Sequence, residues 1–428
     1  MYRKVINTIK SNTLKKQNNI FFILSIFFTS ILLHQSNVVF GVNISFADLF
    51  CLFILLFLML NKQLLMPIGP LLFFLIISVL VLATAYFYIP IKYDIAPNSI
   101  RIISDYTKLL ATFSYFIIGY NLATINLLKP AVRWYSYFGL FIGMAGIVIT
   151  ILNIRVFSEI LFFGETRFKG LMIDPNYFSV LQITALVYLT RSEKIKARYK
   201  ILAVFIMILS VLISGSKTGI ITLFSYFILR TVEYFFLTRK KLSTLIFQLF
   251  FTISLVVTIL VFFDSFQIIF SYLSSAIPSF SRIHLLFSDF ISAISEGGSG
   301  REDTWRAALQ VIQLSPVIGI GIGTYTTIAW EMFHYNNVAH NTFLQISAEW
   351  GIPFAVIFFS FVFFLLGKAT RYRNQASDLN IILRDMIFIL LIGSLAISLN
   401  NARVLWLFLG ALVFSLNGNK RMNSGIQI

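Results

Sequence analysis

The stretch VAHNTFLQISAEWG, residues 338–351, sets His340 and Asn341 side by side where a polar stretch gives way to a long apolar one. An imidazole exchanges protons near neutral pH, so this ring stands ready for proton transfer at the mouth of an apolar helix. Cations occupy comparable places. Lys217 lies in SGSKTG between two apolar runs, and Arg403 follows Asn400 and Asn401 between two more. A charge in hydrocarbon costs at least ~2.5 kcal/mol on insertion scales, so it persists only with a partner or a task. Arg403 has little evident structural reason to be there. Arg301 opens GREDTWRAAL, where a positive charge at a helix start opposes the dipole. Arginine presents a planar fork suited to phosphate oxygens, whereas lysine supplies a point charge.

Each residue also has a plainer reading. His340 alone is a capping or interfacial histidine, and Arg306 pairs with Glu302 at i, i+4. Trp305 reads as a hydrophobic anchor at the membrane surface. Arg101, Asp105 and Lys108 share one helix face, either as an ion-paired cluster or as a carrier-binding one. Asp174 and Asn176, in RFKGLMIDPNYFS, fit turn chemistry, with a sugar contact as the alternative. Glu349 follows His340 on the same stretch and is expected at most to orient a neighbour. His34, His284 and His334 read as solvated or structural. The single cysteine, Cys51, excludes an intrachain disulfide or a thiolate metal site, and no carboxylate pair or His-rich cluster has metal-ligand spacing. Neither a metal nor another cofactor is expected.

The elements that must position these residues are membrane helices. Of 428 residues, 58% are hydrophobic and 12% charged, proportions that exclude a water-soluble domain of this size. Apolar runs of about 20 residues recur along the chain. The expected fold is an all-α polytopic membrane protein with helices at 20–38, 44–60, 67–89, 106–128, 134–152, 171–190, 200–214, 218–237, 243–263, 339–366, 383–399 and 402–416. That makes about 12 spans, with both termini cytoplasmic. Three parts follow: transmembrane helices over 1–263, an extracytoplasmic loop module with short helices over 264–338, and the last helices over 339–428. Most of the 34 Lys and Arg fall on the cytoplasmic side of this topology. The net charge of +17 is therefore a topology signal, and nucleic acid is not needed to explain it. In the loop, an amphipathic helix from Ser299 or Gly300 to Leu314 ends at Pro316, and Gly319, Gly321 and Gly323 form a bend rather than a dinucleotide fingerprint.

In this order, GREDTWRAAL, SPVIGIGIGTY and AHNTFLQISAEWGIPF resemble the shared core of the O-antigen ligase and O-antigen polymerase superfamily, with weaker support from RFKGLMIDPN, SGSKTG and NNARVLW. The resemblance implies metal-independent transfer of a sugar chain from an undecaprenyl-pyrophosphate carrier, on the outer face of the cytoplasmic membrane, with inversion at the anomeric carbon. It assigns catalysis to His340 and Arg301, and the pyrophosphate and glycan to Lys217, Arg403, Arg167, Asn341 and Asn176. Lys217 stands where the family commonly has arginine.

Among family members, RFKGLMIDPNYFS is more similar to polymerases of surface-polysaccharide repeat units than to ligases that deliver a finished chain to lipid A-core. A flippase or secondary transporter is the reading from another class. Transporters tend to show repeated halves and midplane sites, whereas this chain gathers its polar residues on one side. The expected partners are the lipid-linked oligosaccharide, the bilayer and a chain-length regulator.

Overall fold

The computed structural model describes residues 20–36, 45–154, 156–164, 166–236, 301–371 and 378–423, with scattered positions between 246 and 272. Helices dominate. The first five are α1 (Ile20–Leu32), α2 (Phe46–Leu60), α3 (Ile68–Tyr93, with a π-helical turn at Thr84–Tyr88), α4 (Ser99–Thr124) and α5 (Leu128–Ile151). Then come α6 (Pro175–Arg191), α7 (Ala197–Ile213) and α8 (Lys217–Phe236). After 300 follow α9 (Arg301–Leu314), α10 (Tyr325–Phe333), α11 (Thr342–Trp350), α12 (Ile352–Arg371), α13 (Asp378–Gly393) and α14 (Arg403–Asn423). The helix expected at 243–263 and most of 264–300 lie outside the described residues.

By length and composition α3, α5 and α12 can each cross a membrane, and α1, α2 and the start of α14 are shorter apolar helices. Their outer faces carry exposed Val79, Ile91, Phe141 and Phe364, the surface expected where lipid replaces water. Inside, α6 is the central helix: every residue from Phe178 to Leu189 is buried, against α5, α7, α8 and α13. α4 and α14 cross backbone to backbone, because a Cβ on Gly119 would overlap the Leu407 carbonyl and one on Gly410 the Phe116 carbonyl. Small residues at a crossing allow this approach. It brings the start of α14 toward the second half of α4, where Tyr115 and Arg403 both bond Asp48.

The described residues are mainly helical, as expected of an all-α membrane protein, with one local addition: Phe162–Phe163 and Arg167–Phe168 pair as a short antiparallel hairpin, β1 and β2, turning through Gly164 at φ +56°. Two expected helices need correction. The continuous helix at 339–366 is two helices. Asn341 caps α11, and Gly351, at φ +82°, ends it after nine residues, where a Cβ would strike the Val317 carbonyl. The helix at 383–399 stops at Gly393, and 394–402 is irregular. Thr342 holds that segment, its Oγ1 donating to Ile397 O (2.8 Å) and accepting from Leu399 N (2.7 Å). Irregular backbone among apolar helices is tolerated only where protein or a cavity satisfies it.

The bend through Gly319, Gly321 and Gly323 is a strap between helices. Ile320 N donates to Ala348 O (2.8 Å) and Gly321 N to Glu349 O (3.1 Å), which satisfies the last carbonyls of α11. Ile322 N reaches Val81 O (3.3 Å) just before the π turn of α3. Gly321 has φ +80°, and a Cβ there would sit 2.5 Å from Ala85 N. Residues of α9, α10 and this strap share a second, smaller core with Ile89 and Ala348.

Candidate active site

α6 and α8 begin side by side, each on a polar cap. Asp174 Oδ1 accepts from Asn176 N (2.7 Å) and Tyr177 N (3.1 Å), with Pro175 in the first turn. In SGSKTG, Gly215 takes φ +57° to end α7, and Ser216 Oγ accepts from Gly219 N (2.9 Å) to start α8. Ser216 Oγ also donates to Asn176 Oδ1 (2.8 Å), tying the two caps together. Lys217 is then the first residue of α8 and is buried, 8% exposed. Gly219 lets the two helices touch, since a Cβ there would sit 2.5 Å from Ser179.

The hairpin delivers Arg167 to the same place. Its Nε donates to Ser214 O (3.1 Å), its Nη2 reaches Asn176 Oδ1 (3.4 Å), and its guanidinium lies 5.9 Å from the Phe163 ring. Arg301, first in α9, donates from Nη2 to Thr218 Oγ1 (2.8 Å) and so joins the start of α9 to that of α8. His340 precedes the cap of α11 at φ +45°, a left-handed conformation that costs energy in a non-glycine residue and fixes where the ring points.

All of these line one cavity of about 1130 Å³. Lys217, Arg301, His340 and Arg403, far apart in sequence, share this hollow with Arg167 and Asn176. The cavity also receives the first turns of α4, α6, α8, α9 and α14, and α11 begins beside His340. A helix N-terminus carries about half a positive charge, so these starts add to the cations and favour an anion between them. His340 is exposed and lines this cavity. Partial burial lowers its pKa, the nearby Asp174 carboxylate works against that, and Arg301 lowers it further. The net lowering favours the neutral ring, the form that accepts a proton.

Two assigned residues look different in place. Asn341 is not among the lining side chains. Its Oδ1 caps α11 by accepting from Phe343 N (2.9 Å) and Leu344 N (3.2 Å), and its Nδ2 donates to Leu395 O (3.2 Å), which makes it a brace. Arg403 lines the cavity yet has a structural reason that its sequence context hides: Nε and Nη2 each lie 2.6 Å from a carboxylate oxygen of Asp48 in α2. Asp48 also accepts from Tyr115 Oη (3.0 Å) and closes the capping box of α2 with Ser45. An acid within the apolar stretch ISFADLF was the signal for such a partner.

Other lining residues were underweighted. Arg101, Asp105 and Lys108 do form the expected ion-paired cluster, with Lys108 Nζ 2.6 Å from Asp105 Oδ1 and Arg101 Nε 3.3 Å from Oδ2, and the cluster faces the cavity. The ion-paired reading is the one these contacts show. Glu349 is buried, lines the cavity, and accepts from Gln345 Nε2 at 2.5 Å. Burial pushes its carboxyl up to about 8. Trp305 lines the cavity too and is half-exposed, while Arg306 makes the expected surface pair with Glu302 at 2.8 Å.

Residues 202–359 match the family model described as O-antigen ligase, a segment that holds Lys217, Arg301, His340 and Glu349 but not Arg167, Asn176 or Arg403. No curated protein matches the chain. The family match places that segment in the O-antigen ligase and polymerase superfamily, and with the apolar helices it makes the chain an integral membrane protein.

Proposed function

We propose that this protein, with its O-antigen ligase segment, is a polymerase that joins lipid-linked oligosaccharide repeat units. The donor is a glycan on undecaprenyl pyrophosphate, and the acceptor is a sugar hydroxyl of another glycan. The observation that carries the reading is the shared cavity, where Lys217 and Arg301 at helix N-termini and Arg167 on the hairpin gather around His340.

The acceptor oxygen attacks the anomeric carbon from the face opposite the diphosphate and bonds to it as the carbon–oxygen bond to the carrier breaks, so the configuration inverts. His340 takes the hydroxyl proton, and the bonding pair leaves with undecaprenyl pyrophosphate. Negative charge grows on that leaving group in the transition state, where fixed cations and helix N-termini act most strongly. These groups need no metal to carry the charge. Arg403 adds to the field while paired with Asp48. Asn176 and Asn341 keep the starts of α8 and α11 in place.

We place the cavity on the extracytoplasmic face of the cytoplasmic membrane, with about 12 spans and both termini inside, because basic residues concentrate in the connections on the other side. The division at 264 and 339 follows this topology, and a chain-length regulator is the expected protein partner. The family description favours a second reading, a ligase acting on lipid A-core. Purified protein given an undecaprenyl-pyrophosphate-linked repeat unit separates the readings. A polymerase yields longer lipid-linked chains, a ligase reacts only when lipid A-core is added, and a transporter leaves every covalent bond unchanged.

A further inference from the structure

The cavity has a second polar end of different chemistry. Gln345 and Glu349 on α11 face Arg101, Asp105 and Lys108 on α4, and these are the charges that act on the Glu349 carboxyl. The charges acting on His340 are instead Asp174 and Arg301. At the His340 end, cations and helix starts prevail. At the Glu349 end, carboxyl, amide and ammonium groups alternate. The two cations there, Arg101 and Lys108, are already paired with the Asp105 carboxylate, whereas a neutral polyol finds a donor or an acceptor for its hydroxyls.

The amide of Gln345 is oriented by its partners. Its Oε1 accepts from Ala339 N (3.2 Å), so its Nε2 is the group that donates to Glu349 Oε1 (2.5 Å). Ala339 is the neighbour of His340. One side chain thus connects the backbone that aims the histidine to the carboxyl at the far end. Glu349 is set as firmly through its backbone, because Gly321 N donates to its carbonyl and the Cα of Gly319 packs against it.

We propose that this end of the cavity is the subsite for the acceptor saccharide, and that Glu349 is a positioning residue whose hydrogen bonds to ring hydroxyls present the attacking oxygen to His340. The proposal rests on the polymerase reading for its reaction but not for its ligand, which is a saccharide in either case. A buried carboxyl that holds its proton at pH 7 both donates and accepts, as a hydroxyl requires. Trp305, on the cavity wall, offers an aromatic face of the kind that sugar rings stack on.

The test measures two kinds of binding and one kinetic split on the full-length protein in nanodiscs. The probes are undecaprenyl pyrophosphate and the repeat-unit oligosaccharide released from the producing cells' own polymer. Glu349→Ala is expected to weaken oligosaccharide binding and raise the acceptor KM by about tenfold, the loss of roughly one good hydrogen bond, while kcat and undecaprenyl pyrophosphate binding stay within about twofold. Glu349→Gln, which keeps a neutral donor and acceptor, is expected to restore most of the loss. Lys108→Gln, at the edge of the same end, is expected to weaken the oligosaccharide alone. Unchanged saccharide binding in Glu349→Ala, or loss of undecaprenyl pyrophosphate binding in Lys108→Gln, would overturn the subsite. Wild-type protein that binds both probes yet transfers nothing refutes the polymerase reading, and the binding arm then decides the subsite alone. Wild-type protein that binds no oligosaccharide refutes the subsite.

Discussion

α6 and α8 each run from the cavity to a second charged region, and the two ends differ in the space left around their charges. At the far end, Arg191 of α6 and Arg384 of α13 meet Glu233 of α8 and Asp385 of α13 in a closed ring. Asp385 is fully buried and sits 2.6 Å from Arg191 and 2.5 Å from Arg384. Charges match, contacts are direct, and Arg384 also donates to Thr370 of α12, so the ring locks four helices. At the cavity end, six cationic side chains and four carboxyls surround about 1130 Å³ of space. Arg101 and Arg403 keep carboxylate partners at the cavity end as well, so what separates the two ends is the open space that the cavity cations also face.

His340→Ala tests the open end most strongly. Loss of a general base is expected to cost on the order of 10²–10⁴ in transfer rate with no loss of membrane abundance. Radiolabelled product per unit of folded protein measures it. A variant that keeps full activity would remove the histidine from the chemistry and leave the cavity as a binding site only. Asp385→Ala tests the closed end. Removing one partner from a buried ion network is expected to cost about 3–5 kcal/mol of stability, seen as early thermal unfolding in detergent and lower abundance. The protein that remains folded should transfer normally. Were activity lost without a change in unfolding, the two ends would not differ as described. Arg301→Lys has the next effect: it keeps the charge but loses the fork, and is expected to reduce transfer about ten- to hundredfold, the scale of a charged hydrogen bond.

How well the sequence announced these ends depended on whether the relevant interaction was local. Ser216, Asp174 and Asn341 are helix caps whose type and place are visible in a single stretch, and the cations beside them follow. The i, i+4 pairs Arg101–Asp105 and Glu302–Arg306 are local in the same sense. The bidentate Asp48–Arg403 pair joins residues 355 apart, so the sequence alone shows no structural partner for Arg403 and points to a phosphate role. Uniform apolarity hid the breaks after Trp350 and Gly393, because hydropathy reports burial in lipid and not the backbone angle at Gly351. With the helix read as continuous over 339–366, Glu349 is expected at most to orient a neighbour. Breaking that helix and inserting Gln345 between His340 and Glu349 changed the geometry.

The smallest effect sharpens the comparison on a single helix. Asp174 starts α6 and Arg191 ends it. Asp174→Asn keeps a side-chain oxygen for the cap, and asparagine caps as well as aspartate, so the helix should keep its start and the protein its unfolding temperature. What changes is the field at His340. The carboxylate favours the protonated ring, opposing the larger effect of burial. Without it the histidine pKa falls further. A base must be neutral to act, so activity that declines on the acid side as His340 protonates should now hold to lower pH. A pH profile of kcat/KM checks the direction: the acid limb of Asp174→Asn should lie below that of wild type. A limb displaced upward would mean that Asp174 does not act on this ring through its charge, whereas removing a carboxylate at the other end of α6 is paid for in folding.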